Sequence, residues 1–257
     1  MLEVIMNFPF HKSDRRVIIV LDDREYDTEQ ELSKSRKTLF DQEGVACLPY
    51  SIIKSENNVH NALQTLIDDD LITKGQILIQ NPYDKERYVR MIDAEKNLFI
   101  EKWQLFSTFC GVLGAKKVSV ETIETIVEES DQNANFKADG IVHGANISSQ
   151  KQSKNSWLNE KNLENKFDGA TPDIEKAEKF LRIHHLQSDM NLRSLIRMRE
   201  GHNPLKEHTL KITLGEEFKD SFDLAFSLKL PAASLGISYK QATSRLQKSV
   251  LTVKVIF

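Results

Sequence analysis

Two adjacent carboxylates, Asp22 and Asp23, follow the apolar run Val17–Leu21. In an open α/β sheet that is the carboxyl end of a strand, where such folds place ligands, and oxygen donors there suit Mg²⁺ and a phosphorylated or nucleotide substrate. The competing reading is structural: the pair ends a strand and is neutralised by Arg15, Arg16 or Arg24. Asp68-Asp69-Asp70 stands near the end of a helical stretch. Only residues three or four apart share a helix face, so the trio reads as a solvated surface. His184 and His185 are adjacent on an expected helix and project about 100° apart, which keeps them from converging on one ion. His202 and His208 fall at a helix end and a strand start. Glu217-x-Lys219 has the outline of a nuclease Glu-x-Lys, in which the acid holds a metal and the lysine steadies the scissile phosphate. It lies in an expected turn with no strand aspartate beside it, which argues against a nuclease. Arg193 and Arg197 are one helical turn apart, near Arg182 and Arg199, and can clasp an anion or the acidic surface of a partner. Asp189 and Glu200 balance them if the face is merely solvated.

The motifs of the common enzyme classes are missing from the sequence. There is no Gly-x-x-x-x-Gly-Lys-Ser/Thr, no Gly-x-Gly-x-x-Gly, no Gly-x-Ser-x-Gly, no His-Glu-x-x-His, no EF-hand loop and no Cys-x-x-Cys. The turn Asp22-Asp23-Arg24-Glu25 would repel the pyrophosphate of a dinucleotide. Cys47 and Cys110 lie among apolar neighbours and read as buried thiols. The balance of 35 Lys+Arg against 38 Asp+Glu gives no basic field for nucleic acid. No apolar run approaches the roughly 18 residues of a membrane helix and the first residues lack a secretory pattern, so the chain is expected to be cytoplasmic.

The elements that must position these residues change style along the chain. The continuous run Val17–Leu21 suits a strand buried on both faces. A helix capped at Asp27 and stopped at Glu43-Gly44, a strand Val45–Ile53, a helix capped at Asn57 or Asn58, a strand Ile77–Ile79 and a helix Ala94–Leu113 closed by Gly114 follow. Residues 1–115 therefore read as a small, partly parallel α/β layer. Beyond it the period shortens. Lys117–Ile147 reads as a hairpin with a polar tip, and 148–171 as a linker or mobile loop. Two helices follow, one starting at Pro172-Asp173 and one capped by Asp189 and ended by Gly201. Thr209–Leu214, Ser221–Leu230, Leu235–Tyr239 and Leu251–Phe257 then alternate as an antiparallel sheet with one wet face. The expected class is α+β, with residues 116–257 as a hairpin sheet carrying a helical insert and sharing, or not, one core with the first part.

Ser221–Leu230 puts Phe222, Leu224, Phe226, Leu228 and Leu230 on one face of a strand long enough for a membrane barrel wall, with small or polar residues opposite. Two amphipathic hairpins separated by a helical segment and a polar linker resemble, in arrangement, pore-forming proteins of the gasdermin and perforin-like type. That resemblance implies hairpins that refold into membranes on assembly. The leading expectation is a non-enzymatic interaction or assembly protein, an effector that oligomerises on a trigger and perturbs membranes. It would use Phe222, Leu224, Phe226, Leu228 and Leu230 as its assembly or membrane face, and Arg193 and Arg197 as a contact for a partner or anion. It needs no cofactor and no nucleic acid, and its partner is a protein or a second copy. The alternative is a phosphate- or nucleotide-binding α/β enzyme that uses Asp22 and Asp23 with Mg²⁺.

Overall fold

The structure, a computed structural model, describes residues 9, 11–34, 38–54, 61–127, 163–214, 217–228 and 247–257. It is α+β, and the chain divides into two discontinuous units. The first comprises Met1–Leu105, Lys179–Asp189 and Gly215–Ser244; the second comprises Phe106–Glu178, Met190–Leu214 and Arg245–Phe257.

The first unit is organised by the apolar run read from the sequence. β1 (Val17–Leu21) is buried along its whole length. It pairs in parallel with β2 (Val45–Pro49) and antiparallel with β3 (Ile77–Gln80), which pairs antiparallel with β4 (Tyr88–Arg90); the order is β2-β1-β3-β4. Strand alternation sends Ile18 and Val20 to one face, where they join Leu48, Leu78 and the buried Leu63 and Leu66 of α2 (Asn61–Asp68). The parallel β1/β2 pair requires a crossover, supplied by α1 (Asp23–Ser33). This helix starts earlier than the Asp27 cap expected from the sequence. Asp22 caps it in a reciprocal box with Glu25, which satisfies two of the amides that a helix start leaves open. The strand expected to reach Ile53 stops at Pro49, and Tyr50–Lys54 forms a 3₁₀ turn. The Asn57 or Asn58 cap lies outside the described residues. β4, only three residues long, was not expected.

α3 (Ala94–Val112) matches its expectation and contributes to both units, burying Leu98, Phe99, Trp103, Phe106 and Phe109. Gly114 follows it at φ +83°, the left-handed geometry that ends helices.

The second unit is a four-stranded sheet in the order β6-β5-β8-β7, every pair antiparallel: β5 (Lys117–Val127), β6 (Glu164–Lys166), β7 (Glu207–Leu214) and β8 (Gln247–Ile256). The alternation read for Thr209–Leu214 and Leu251–Phe257 is present: Leu210, Ile212, Leu251, Val253 and Val255 are buried, while Lys254 on the other face pairs with Glu207 at 2.6 Å. β5 and β8 run together from Lys117↔Ile256 to Val127↔Gln247, with a bulge at Glu121. The hairpin expected over 117–147 is therefore described only in its first strand, whose neighbours are β8 and β6; the returning strand Phe136–Ile147 lies outside the described residues. Part of the expected loop 148–171 is regular, since Glu164–Lys166 forms β6 against Lys117–Ser119. α4 (Ile174–Ile183) and α5 (Met190–Arg199) stand where the sequence placed them.

The described part of Ser221–Leu230 is not a strand: α6 (Lys219–Ser227) is a helix in the first unit that packs against β1 and β3. Its apolar residues carry two periods at once. Phe222, Leu224, Phe226 and Leu228 alternate, but Phe218, Phe222, Ala225 and Leu228 recur at helical spacing, and these four are the ones buried. Leu230 and Leu235–Tyr239 lie outside the described residues.

Candidate functional site

In the first unit a group of polar side chains gathers around the buried Lys102. Helical spacing puts this lysine on the same face of α3 as Leu98, Phe106 and Phe109, so its stem is drawn inward with them. Its ammonium forms a short ion pair with Glu217; the lysine side chain is 7% exposed and the glutamate 25%. The other Glu217 oxygen accepts a long hydrogen bond from the Tyr83 hydroxyl, at 3.4 Å. One carboxylate thus gathers a cation from α3 and a phenol from the β3–β4 loop.

That loop is shaped by its own side chains. Asn81 Oδ1 accepts from the Tyr83 amide at 2.9 Å and Asp84 Oδ1 from the Glu86 amide at 3.1 Å, two turns of the kind Asn and Asp favour. Asn81 also donates to Glu101 on α3 at 2.7 Å, so the loop is tied to the helix beside Lys102. Burial pushes the Tyr83 hydroxyl far above the usual phenol range, and the Glu217 and Glu101 carboxylates push the same way. In its bond to Glu217 the tyrosine is the donor. Chemically the cluster holds residue 217 in place, and its three members are occupied with each other.

A second network flanks it on the β4 side. Arg15, 1% exposed, reaches Glu86 at 2.9 Å, and its carbonyl accepts from the Tyr88 hydroxyl at 3.0 Å. Burial raises the Tyr88 pKa to about 12. In the second unit Arg199 turns inward from α5. Its Nε donates to the Leu113 carbonyl at 3.0 Å, another guanidinium nitrogen donates to the Leu205 carbonyl, and the group stacks 4.2 Å from the Phe257 ring centroid. A cation at the end of α3 is favourable with the helix dipole.

The residues singled out in the sequence are dispersed. Asp22 is a helix cap: its Oδ1 accepts from the Arg24 amide at 3.2 Å, and Oδ2 pairs with Lys74 at 2.6 Å. Lys74, then the Arg24 amide, hold its carboxyl below the ordinary carboxylate value. The ion-pair partner is Lys74, and of the arginines expected Arg24 adds a smaller attraction to the same carboxylate. Asp23 accepts from the Ser51 amide at 2.8 Å and so ties α1 to the turn after β2. Both carboxylates of the Mg²⁺ alternative are thus engaged in holding local structure. Among the described residues no group of three or more His, Cys, Asp or Glu side chains is placed to hold a metal ion. Arg193 and Arg197 are exposed on α5. Phe222 and Leu228 of the proposed assembly face are buried on or just past α6, and Leu224 and Phe226 are half-buried, so these four do not form one open stripe. His184 packs against Phe180 with ring centroids 4.4 Å apart, and Cys47 and Cys110 are buried free thiols. Glu217 of the Glu-x-Lys outline pairs with Lys102 of α3.

Sequence reasoning passed over Lys102 and Tyr83. The signal for Lys102 was a lone charge on the apolar stripe of the strongest helix. Tyr83, in the stretch Asn81-Pro82-Tyr83-Asp84, offered only a turn signature. Compared with known proteins, the chain matches no family model, no curated relative and no solved structure.

Proposed function

We propose that the chain is a non-enzymatic interaction and assembly protein that associates by adding a strand from a second copy to the edge of its second sheet. One observation carries the reading. β6, the described outer neighbour of β5, pairs with it over Lys117–Ser119, with one further bond from the Val120 amide to the Leu163 carbonyl, and the β5 edge beyond it is the one we assign to the incoming strand. A strand edge presents a row of amides and carbonyls, which is the usual template for adding a strand. The engagement of Asp22 and Asp23 in structural pairs favours this reading over the Mg²⁺-dependent enzyme. The fuller form, in which a trigger brings the assembled sheet to a membrane, rests on the β5 part of the Lys117–Ile147 segment, since α6 is helical.

Glu121 is the residue to change. It sits in the bulge and has no partner in the β5/β8 register, so proline there spares the inner ladder while interrupting the outer edge. Sedimentation velocity should show the wild type associating with rising concentration and Glu121→Pro remaining monomeric. Equal association of the two proteins would refute edge pairing.

A further inference from the structure

The alternating stretch that reads as a strand in the sequence is a helix in the fold, and the helix is poorly made for the task. α6 has nine residues, its N-cap is Phe218 with no side-chain cap bond, and its last turn carries no basic residue. Ser221, Phe222, Asp223 and Phe226 are all modest helix formers, and a helix this short is marginal without tertiary contacts. Its conformation is therefore imposed from outside. Two things impose it: burial of Phe218, Phe222, Ala225 and Leu228, and the hold of Lys102 and Tyr83 on Glu217, immediately ahead of the helix.

A period-two pattern held in a period-3.6 structure is a conflict between local and global preference. Extended, the same residues would place Phe222, Leu224, Phe226 and Leu228 on one side. As a helix, they leave Leu224 and Phe226 half-buried.

We infer that α6 is a releasable element: a strand-patterned segment kept helical on the first sheet by the Lys102–Glu217–Tyr83 latch. Release needs no unfolding of β1 or of the second sheet, and it bares an apolar stripe along with the surface of β1 and β3 that α6 covers. The inference goes beyond the assembly reading and stands without it, because release is read on α6 itself whether or not copies associate.

Hydrogen-exchange mass spectrometry on the full chain tests it. In the wild type, a peptide spanning 217–228 should exchange faster than one spanning Val17–Leu21, by an opening of its own. Glu217→Gln should speed exchange of 217–228 by about tenfold or more while leaving the Val17–Leu21 and Val250–Ile256 peptides unchanged. Asp223→Ala/Ser227→Lys improves the helix at exposed positions and puts a cation in its last turn, so it should slow exchange of 217–228 alone. If 217–228 exchanges with β1 in the wild type, or is unmoved by Glu217→Gln, the latch is wrong. If Glu217→Gln loosens β1 equally, the helix-favouring variant decides: selective slowing supports release, and no change overturns it.

Discussion

Lys102 on α3 and Glu217, 115 positions further along the chain, form an ion pair whose lysine end is buried, and Tyr83 donates to the same carboxylate. Removing one member strands the other. Glu217→Leu, which takes the carboxylate away from the buried Lys102 ammonium, should lower the unfolding free energy by about 3 kcal/mol, the low end for a broken buried pair. Lys102→Met/Glu217→Leu should regain at least half of that loss, since neither charge is then left alone. Urea unfolding of the three proteins checks both values. A double variant as unstable as the single one would show that the pair itself, not the stranded charge, matters.

Gly114 and Gly201 separate conformational strain from collision. Both have positive φ, +83° and +94°. A Cβ on Gly114 would meet the Ala170 carbonyl oxygen at 2.0 Å, while one on Gly201 meets nothing within 4 Å. Gly201→Ala should therefore cost about 1–2 kcal/mol, the left-handed penalty alone. Gly114→Ala should cost clearly more, because backbone must move as well. The two thermal midpoints, measured side by side, should differ in that order.

Asp22 predicts the sign of one pH dependence. Its carboxyl is held below its ordinary value by Lys74 and the Arg24 amide. A group whose folded pKa is depressed stabilises the fold above its unfolded pKa, and that stability is lost as pH falls through the folded value. The contribution should be full at neutral pH and fade below about pH 4. Asp22→Asn retains a capping side chain but loses the charge. Its thermal midpoint should lie below the wild type at pH 7 and converge with it in acid. Parallel curves down to low pH would contradict the assignment.

Cys47 and Cys110 should be inert in the native protein. Burial raises the Cys47 thiol to about 12, and the Cys110 thiol higher still, so neither forms appreciable thiolate at neutral pH. A colourimetric disulfide reagent should find no reactive thiol without denaturant and two with it. Rapid labelling of either in native buffer would show that its surroundings open.

Where local pattern and tertiary packing agree, the fold was legible in the sequence. The run Val17–Leu21 signalled a strand buried on both faces, the stripe from Leu98 to Phe109 a long helix, and the alternation of Leu251, Val253 and Val255 a half-buried strand; all three are present. α6 reads as a strand in the sequence because its apolar residues satisfy both periods, and only the first sheet and the pair at Glu217 choose between them. α1 began early because the Asp22–Glu25 box outcompeted a later cap, and β4 is too short to leave a periodic trace. The cluster was hidden for a different reason. Lys102, Tyr83 and Glu217 are far apart in sequence, and no spacing rule connects them until the chain is folded.

Mass in solution tests the assembly reading most directly. Sedimentation velocity from low to high micromolar concentration, with and without vesicles of anionic phospholipid, reports self-association and lipid binding together. The account predicts species heavier than the 29.5 kDa chain that grow with concentration or on vesicles, and that Glu121→Pro removes. A single 29.5 kDa species under every condition, bound to no vesicle, would contradict it.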